Sequence, residues 1–223
     1  GGSVLAYRRT EAVAQRLAEN RRRIINAARE LVLEGGFASA QMAPVAERAG
    51  LATGTLYRYF SAKDELCLQV FREVSAREMS ILNAIASKTA PAPTRLEQVV
   101  RTFATRAIRG RRLAYALLAE PVDNAIAEER WRFRRTHADI FTRVIQDGLE
   151  EGSFEVADAR LAATCIAGAV PSALIGPLAP ESHELDGNGD HVIDAIVQFC
   201  LQAVGYQGKM TGQGLAKDQR VTA

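Results

Sequence analysis

Residues 50–60 read Gly-Leu-Ala-Thr-Gly-Thr-Leu-Tyr-Arg-Tyr-Phe (GLATGTLYRYF), and their spacing sets the fold. Leu56 and Phe60 stand four apart, so on a helix they share one face. Thr53 and Tyr57 make a second such pair and Gly54 and Arg58 a third, both turned away from the first. A short helix with small residues at its start and long hydrogen-bonding ones further along leaves room for something large near its beginning.

Working outward, Met42, Val45, Ala46 and Ala49 predict a helix over 42–49 that Gly50 closes, with the next helix over 53–59. Upstream, Ile24, Ala28, Leu31 and Val32 stripe one long helix from about Thr10 to Glu34, stopped by Gly35-Gly36. The opening GGS reads as a cloning scar and carries no fold signal. Downstream, Ser61 with Asp64 three residues later predicts a side-chain cap on a helix that continues to about Ser87. The stretch TAPAPT (89–94) is the clearest break. Helices are expected over 95–109, 111–119, 123–151, 156–176 and 189–204, with Pro171 expected to kink or end its own. No alternation of period two is sustained, so no sheet is expected.

The chain has 223 residues, 48% of them apolar and 24% charged. That balance can fill a core in one or two domains. No apolar run is expected to approach the ~20 residues of a membrane span, and a cytoplasmic protein is expected. Cys67, Cys165 and Cys200 lie far apart and read as buried free thiols. The formal charge of +2 hides an asymmetry: residues 1–63 hold ten Lys/Arg against five Asp/Glu, and the rest hold 18 against 21. A basic first part on a mildly acidic body points to a polyanion partner for that part alone.

Helix 42–49, the turn at 50–52 and helix 53–59 have the lengths of a DNA-reading helix–turn–helix, although an ordinary helical hairpin would share them. Gly54 and Thr55 leave the backbone N–H groups of the first turn open to a phosphate. Thr53 and Tyr57 can donate to phosphates or base edges, with Arg58 facing outward beside them. Lys63 opposes the dipole of its helix, a placement that makes sense with an anion nearby. Arg21, Arg22 and Arg23 form a basic segment that can lie along a groove.

At these residues the sequence resembles the DNA-binding domain of the TetR family of bacterial transcriptional regulators. The matching positions are Gly36-Phe37, Val45-Ala46, Ala49-Gly50-Leu51, Gly54-Thr55-Leu56-Tyr57, Tyr59-Phe60, Lys63 and Leu66. The resemblance implies DNA contacts at Gln41, Thr53, Thr55, Tyr57, Tyr59 and Lys63, with Leu56 and Phe60 in the core. The chain departs from the family pattern at Gln41 and Pro44, where the reciprocal capping pair is lost, and at Ala52, where serine is usual.

The resemblance further implies an all-α protein: an N-terminal three-helix helix–turn–helix domain (8–66), a larger helical effector-binding and dimerisation domain (67–205) and a polar tail (206–223). The tail is Gly-rich and expected to be mobile. Candidate effector-binding residues are Phe103, Tyr115, Leu117, Trp131, His137, Phe141 and Cys165, which would line an apolar cavity; a plain aromatic core is the alternative. Candidate dimer residues are Leu161, Ile166, Val170, Val192, Ile196 and Phe199, and burial within one subunit is the alternative. His183 and His191 are expected to be solvated. No nucleophile–base pair, phosphate loop or metal-ligand spacing is present, so neither an enzyme nor a cofactor is expected. The expected function is a homodimeric repressor of a pseudo-palindromic operator on double-stranded DNA, released by a largely apolar small molecule. A DNA-binding regulator without an effector is the alternative.

Overall fold

The structure, a computed structural model, describes residues 2–185, 187, 189–208 and 210. Nine α-helices and no strand are found among them: α1 (Gly2–Gly35), α2 (Met42–Ala49), α3 (Thr53–Leu56), α4 (Lys63–Ala86), α5 (Ala92–Arg109), α6 (Arg111–Leu118), α7 (Asn124–Glu150), α8 (Ala159–Leu178) and α9 (Asp190–Ala203). A 3-10 turn at Phe37–Ser39 follows α1. The chain is therefore all-α, with an N-terminal helix–turn–helix unit and a larger C-terminal helical unit.

Two apolar cores hold it together. The first gathers Ile24, Ala28, Val32, Val45, Leu56, Phe60, Leu66 and Phe71. The second runs from Met79 and Leu82 through Phe103, Phe141, Ile166 and Val170 to Val204. Helix α4 belongs to both, so its two ends are fixed in different cores. The TAPAPT segment separates α4 from α5 rather than the two cores. Ala116 of α6 and Ile126 of α7 are buried in the first core, which fastens the larger unit onto the smaller one.

A polar junction adds to that attachment. Arg112 donates to the Gly35 carbonyl at 2.9 Å and pairs with Glu120 at 2.9 Å, while Glu120 accepts from the Phe37 N–H at 2.9 Å. Gly36 sits beneath this pair at φ 74°. A Cβ there would fall 2.1 Å from a Glu120 carboxylate oxygen, so a side chain would push Glu120 out of this pair and be strained at that φ.

Several local expectations are corrected. Helix α1 begins at Gly2, earlier than Thr10, and includes two residues read as a scar. Ser61 does not cap α4 with Asp64 as its partner; Ala62 holds the cap position without a side-chain bond. Instead Glu65 reaches back and accepts from both the backbone N–H and the hydroxyl of Ser61 at 2.8 Å, which lowers the Glu65 pKa.

Helix α8 runs through Pro171 to Leu178, because its inner face is packed against α5, α6 and α7. Its most apolar stretch has mean hydropathy 1.7 and meets the length and composition of a membrane span, contrary to expectation. A core helix passes the same test, and here Ala163, Ile166, Ala167, Val170 and Leu174 are buried. Cys67 and Cys200 are buried free thiols whose pKa values burial pushes up to about 11 and about 12. Cys165 is exposed, against expectation. Residues 209 and 211–223, most of the expected tail, lie outside the described residues, whereas Tyr206 packs edge-on to Phe154.

Candidate nucleic-acid interface and apolar cavity

Helix α2 ends on Gly50 in the left-handed conformation (φ 65°, ψ 38°), whose N–H donates back to Glu47. Three residues later α3 begins with a single regular turn, Thr53–Leu56. The chain then tightens, with Arg58 N–H donating to Thr55 at 3.1 Å and Tyr59 N–H to Leu56 at 2.9 Å. Leu56 and Phe60 are fully buried, so they set the roll of this segment. That roll leaves Thr53, Gly54 and Arg58 exposed and Tyr57 52% exposed, with Thr55 and Lys63 half-buried. A Cβ on Gly54 would meet nothing within 4 Å, so that side of the turn is open.

The remaining predicted DNA residues have intramolecular partners. Tyr59 is half-buried, and its hydroxyl accepts from Asn20 of α1 at 3.1 Å. Gln41 occupies the α2 cap position without capping it, donating instead to the Ala38 carbonyl at 3.0 Å. Arg21 lies over the Phe60 ring at 5.1 Å. Arg23 donates to the Ala49 carbonyl at the end of α2, and Arg22 pairs with Glu19 on the exposed side. Arg48 is held by both oxygens of Glu34, which keeps the Glu34 carboxyl below its ordinary range. Arg21, Arg22, Arg23 and Gln41 are nonetheless exposed, like Thr53, Gly54, Tyr57 and Arg58, and of the predicted set Thr55, Tyr59 and Lys63 are half-buried.

In the second unit, α4, α5, α6 and α7 surround a cavity of about 290 Å³, reached on one side by Pro171 of α8. Its apolar wall comes from Phe71 and Val74 of α4, Phe103 and Ala107 of α5, Leu113, Leu117 and Leu118 of α6, and Phe133 of α7. Ser75, Glu78, Arg106, Arg109, Arg130 and Arg134 supply the polar part. Arg130 donates to the Ala116, Leu117 and Glu120 carbonyls at the end of α6, and burial, then the neighbouring Arg134, lowers its pKa.

Of the predicted effector residues, Phe103 and Leu117 line this cavity. Tyr115 packs into the second core, Trp131 is 62% exposed and Cys165 lies on the outside of α8, so none of these reaches it. Phe141 is fully buried behind it. His137 is also fully buried, ringed by Phe103 at 5.0 Å, Phe133 at 5.9 Å and Phe141 at 4.7 Å, and neither ring nitrogen has a hydrogen-bond partner. Burial pushes its pKa down to about 3. Sequence reasoning missed the α4 stripe Phe71, Val74, Ser75 and Glu78, whose i, i+3, i+4, i+7 spacing was the available signal.

Among the predicted dimer residues, Ile166, Val170 and Ile196 are buried within their own subunit and are unavailable to a partner. Val192 packs half-buried on the same core. Leu161 (61% exposed) and Phe199 (52% exposed) face outward. His183 and His191 are exposed, and no cluster suited to a metal occurs among the described residues.

Residues 24–70 match the family described as bacterial regulatory proteins, tetR family, and residues 89–174 match the tetracyclin repressor-like C-terminal domain. The chain belongs to the TetR family. As a TetR-family protein it is a transcriptional regulator with a DNA-binding helix–turn–helix. Over 90 residues it is 39% identical to the HTH-type transcriptional repressor KstR of Mycobacterium tuberculosis, covering 40% of this chain and 38% of that protein. This TetR-family chain thus aligns with about two fifths of the length of its KstR relatives. Over 151 residues it is 26% identical to the fatty acid metabolism regulator protein of Bacillus subtilis, covering 66% of this chain and 77% of that one. The fold is shared with the fatty acid degradation regulator FadR of Bacillus halodurans (TM-score 0.71, 20% identity, 84% of this chain and 97% of that one). It is shared also with FadR of Bacillus subtilis in complex with stearoyl-CoA (TM-score 0.69, 19% identity, 82% and 98%).

Proposed function

We propose that this chain is a cytoplasmic, homodimeric repressor that leaves a pseudo-palindromic operator when an acyl thioester of coenzyme A enters the α4–α7 cavity. The observation that carries the reading is the double role of α6: Leu113 and Leu117 line the cavity and also pack against the first core. A ligand that displaces them acts on the reading unit directly, and it shifts the equilibrium by its differential affinity for the two states. The apolar wall with arginines beside it suits a long chain carrying a phosphorylated head. The similarity to a fatty acid metabolism regulator supports the same ligand class.

In this reading residues 8–66 read DNA, residues 67–205 bind the effector and dimerise, and residues 206–223 form a tail. The outward Leu161 and Phe199 would meet their copies across a two-fold axis and set the spacing of the two α3 segments. Binding-site selection on random DNA, followed by fluorescence anisotropy with and without stearoyl-CoA, tests the reading. Operator affinity is expected to fall at least about tenfold with ligand, a coupling of about 1.4 kcal/mol. Unchanged affinity while calorimetry shows the ligand bound would remove the effector from the mechanism.

A further inference from the structure

Glu78 faces the cavity from α4, one turn beyond Val74. Its Oε2 accepts from Arg106 Nε at 2.8 Å, while its Oε1 is buried without a hydrogen-bond partner. The side chain is 16% exposed. A carboxylate oxygen removed from water and left without a donor is unfavourable, so the site has a standing demand for an N–H or O–H.

The nearby cations do not all stand ready for an anion. Arg106 is already paired with Glu78, and the Arg130 guanidinium is spent on the three carbonyls that end α6. Arg109 and Arg134 also line the cavity, and both are exposed. The cavity lining therefore combines an apolar wall, one buried acceptor and exposed positive charge.

We propose that Glu78 is a specificity-determining residue, selecting a chain whose polar junction offers a hydrogen-bond donor and rejecting one that ends in a free carboxylate. A carboxylate accepts only and repels Glu78, whereas a hydroxyl or amide N–H supplies the proton that Oε1 lacks. The carrier arm of an acyl-coenzyme A offers amide N–H groups beyond the thioester for Glu78, and phosphates beyond those for the exposed arginines. The inference rests on the reading of this cavity as the effector site.

Calorimetry at pH 8 with 1-dodecanol, dodecanoate and lauroyl-CoA, on the full chain and on its Glu78→Gln and Glu78→Leu variants, tests it. The unaltered protein is expected to bind the alcohol and the thioester at least about tenfold more tightly than the carboxylate, the size of one charge-assisted hydrogen bond. Glu78→Gln, of equal size and able to donate, should bring dodecanoate to within about threefold of dodecanol, and Glu78→Leu should weaken dodecanol about tenfold. Equal affinity of the unaltered protein for alcohol and carboxylate overturns the inference, as does a preference that survives in both variants. Dodecanol binding through Glu78 without lauroyl-CoA binding leaves the inference standing and removes coenzyme A from the proposed function. Binding of none of the three overturns both.

Discussion

Around Leu56 and Phe60 the reading unit packs solid, with Ile24, Ala28, Val32 and Val45 fully buried about them, whereas the larger unit leaves about 290 Å³ between its helices. The two units serve opposite requirements. A helix presented to DNA has to be held in one orientation, and a filled core does that. A ligand site needs volume, and an unfilled apolar volume costs stability until something occupies it. Among the described residues, most of the buried polar atoms without partners, in Glu78, Arg101 and His137, lie in the hollow unit, and one, Arg29 Nε, lies in the solid unit, where Arg21 and Arg23 are tied down over Phe60 and Ala49.

The strongest way to break this contrast is to hollow the solid core. Phe60→Ala should cost about 3–5 kcal/mol in urea unfolding, whereas Phe133→Ala, which enlarges an existing cavity, should cost less. A larger loss at Phe133 than at Phe60 would reverse the comparison.

Next in size is an acid-sensitive term confined to the hollow unit. With the His137 pKa held near 3 in the native state, the unfolded chain binds a proton that the native state lacks once pH drops below about 6.5. This group's contribution is flat above that pH, and stability falls by about 1.4 kcal/mol per unit below it, until the native pKa is reached. Relative to His137→Leu, the unaltered protein should lose roughly 2 kcal/mol more between pH 7 and pH 5. Parallel stability curves for the two proteins would mean that the imidazole is solvated.

Tyr57→Ala sharpens the comparison from the other side. Its ring is half-exposed on the rigid unit, so operator binding should weaken by about 1–3 kcal/mol, with little change in unfolding. Unchanged operator affinity at matched salt would take Tyr57 out of the interface. The smallest effect is expected from Lys63→Ala, which should reduce the salt slope of operator binding by about one unit. An unaltered slope would leave Lys63 without a phosphate partner.

Legibility in the sequence divided along the same line. The bounds of α2, its stop at Gly50 and the burial of Leu56 and Phe60 follow from local spacing and one left-handed glycine, and all were readable. The cap at Ser61 was misread because Glu65, not Asp64, reaches back, a choice between adjacent carboxylates that spacing does not settle. The cavity was read from aromatic content, which does not say which way a helix is rolled. Trp131 and Phe133 are two residues apart on α7 and so point to nearly opposite sides; one is in solvent and the other in the wall. Likewise Ile166 and Val170 read as an outward stripe on an all-apolar helix, where only packing against α7 decides which side is inside.

Trp131 acquires a different use from its placement. It is the chain's only tryptophan, it stands in water, and its neighbours Arg130, Phe133 and Arg134 line the cavity. Intrinsic fluorescence excited at the indole therefore comes from a single known point on α7, with no second emitter to subtract. The protein carries a label-free optical report on the solvent-facing side of α7.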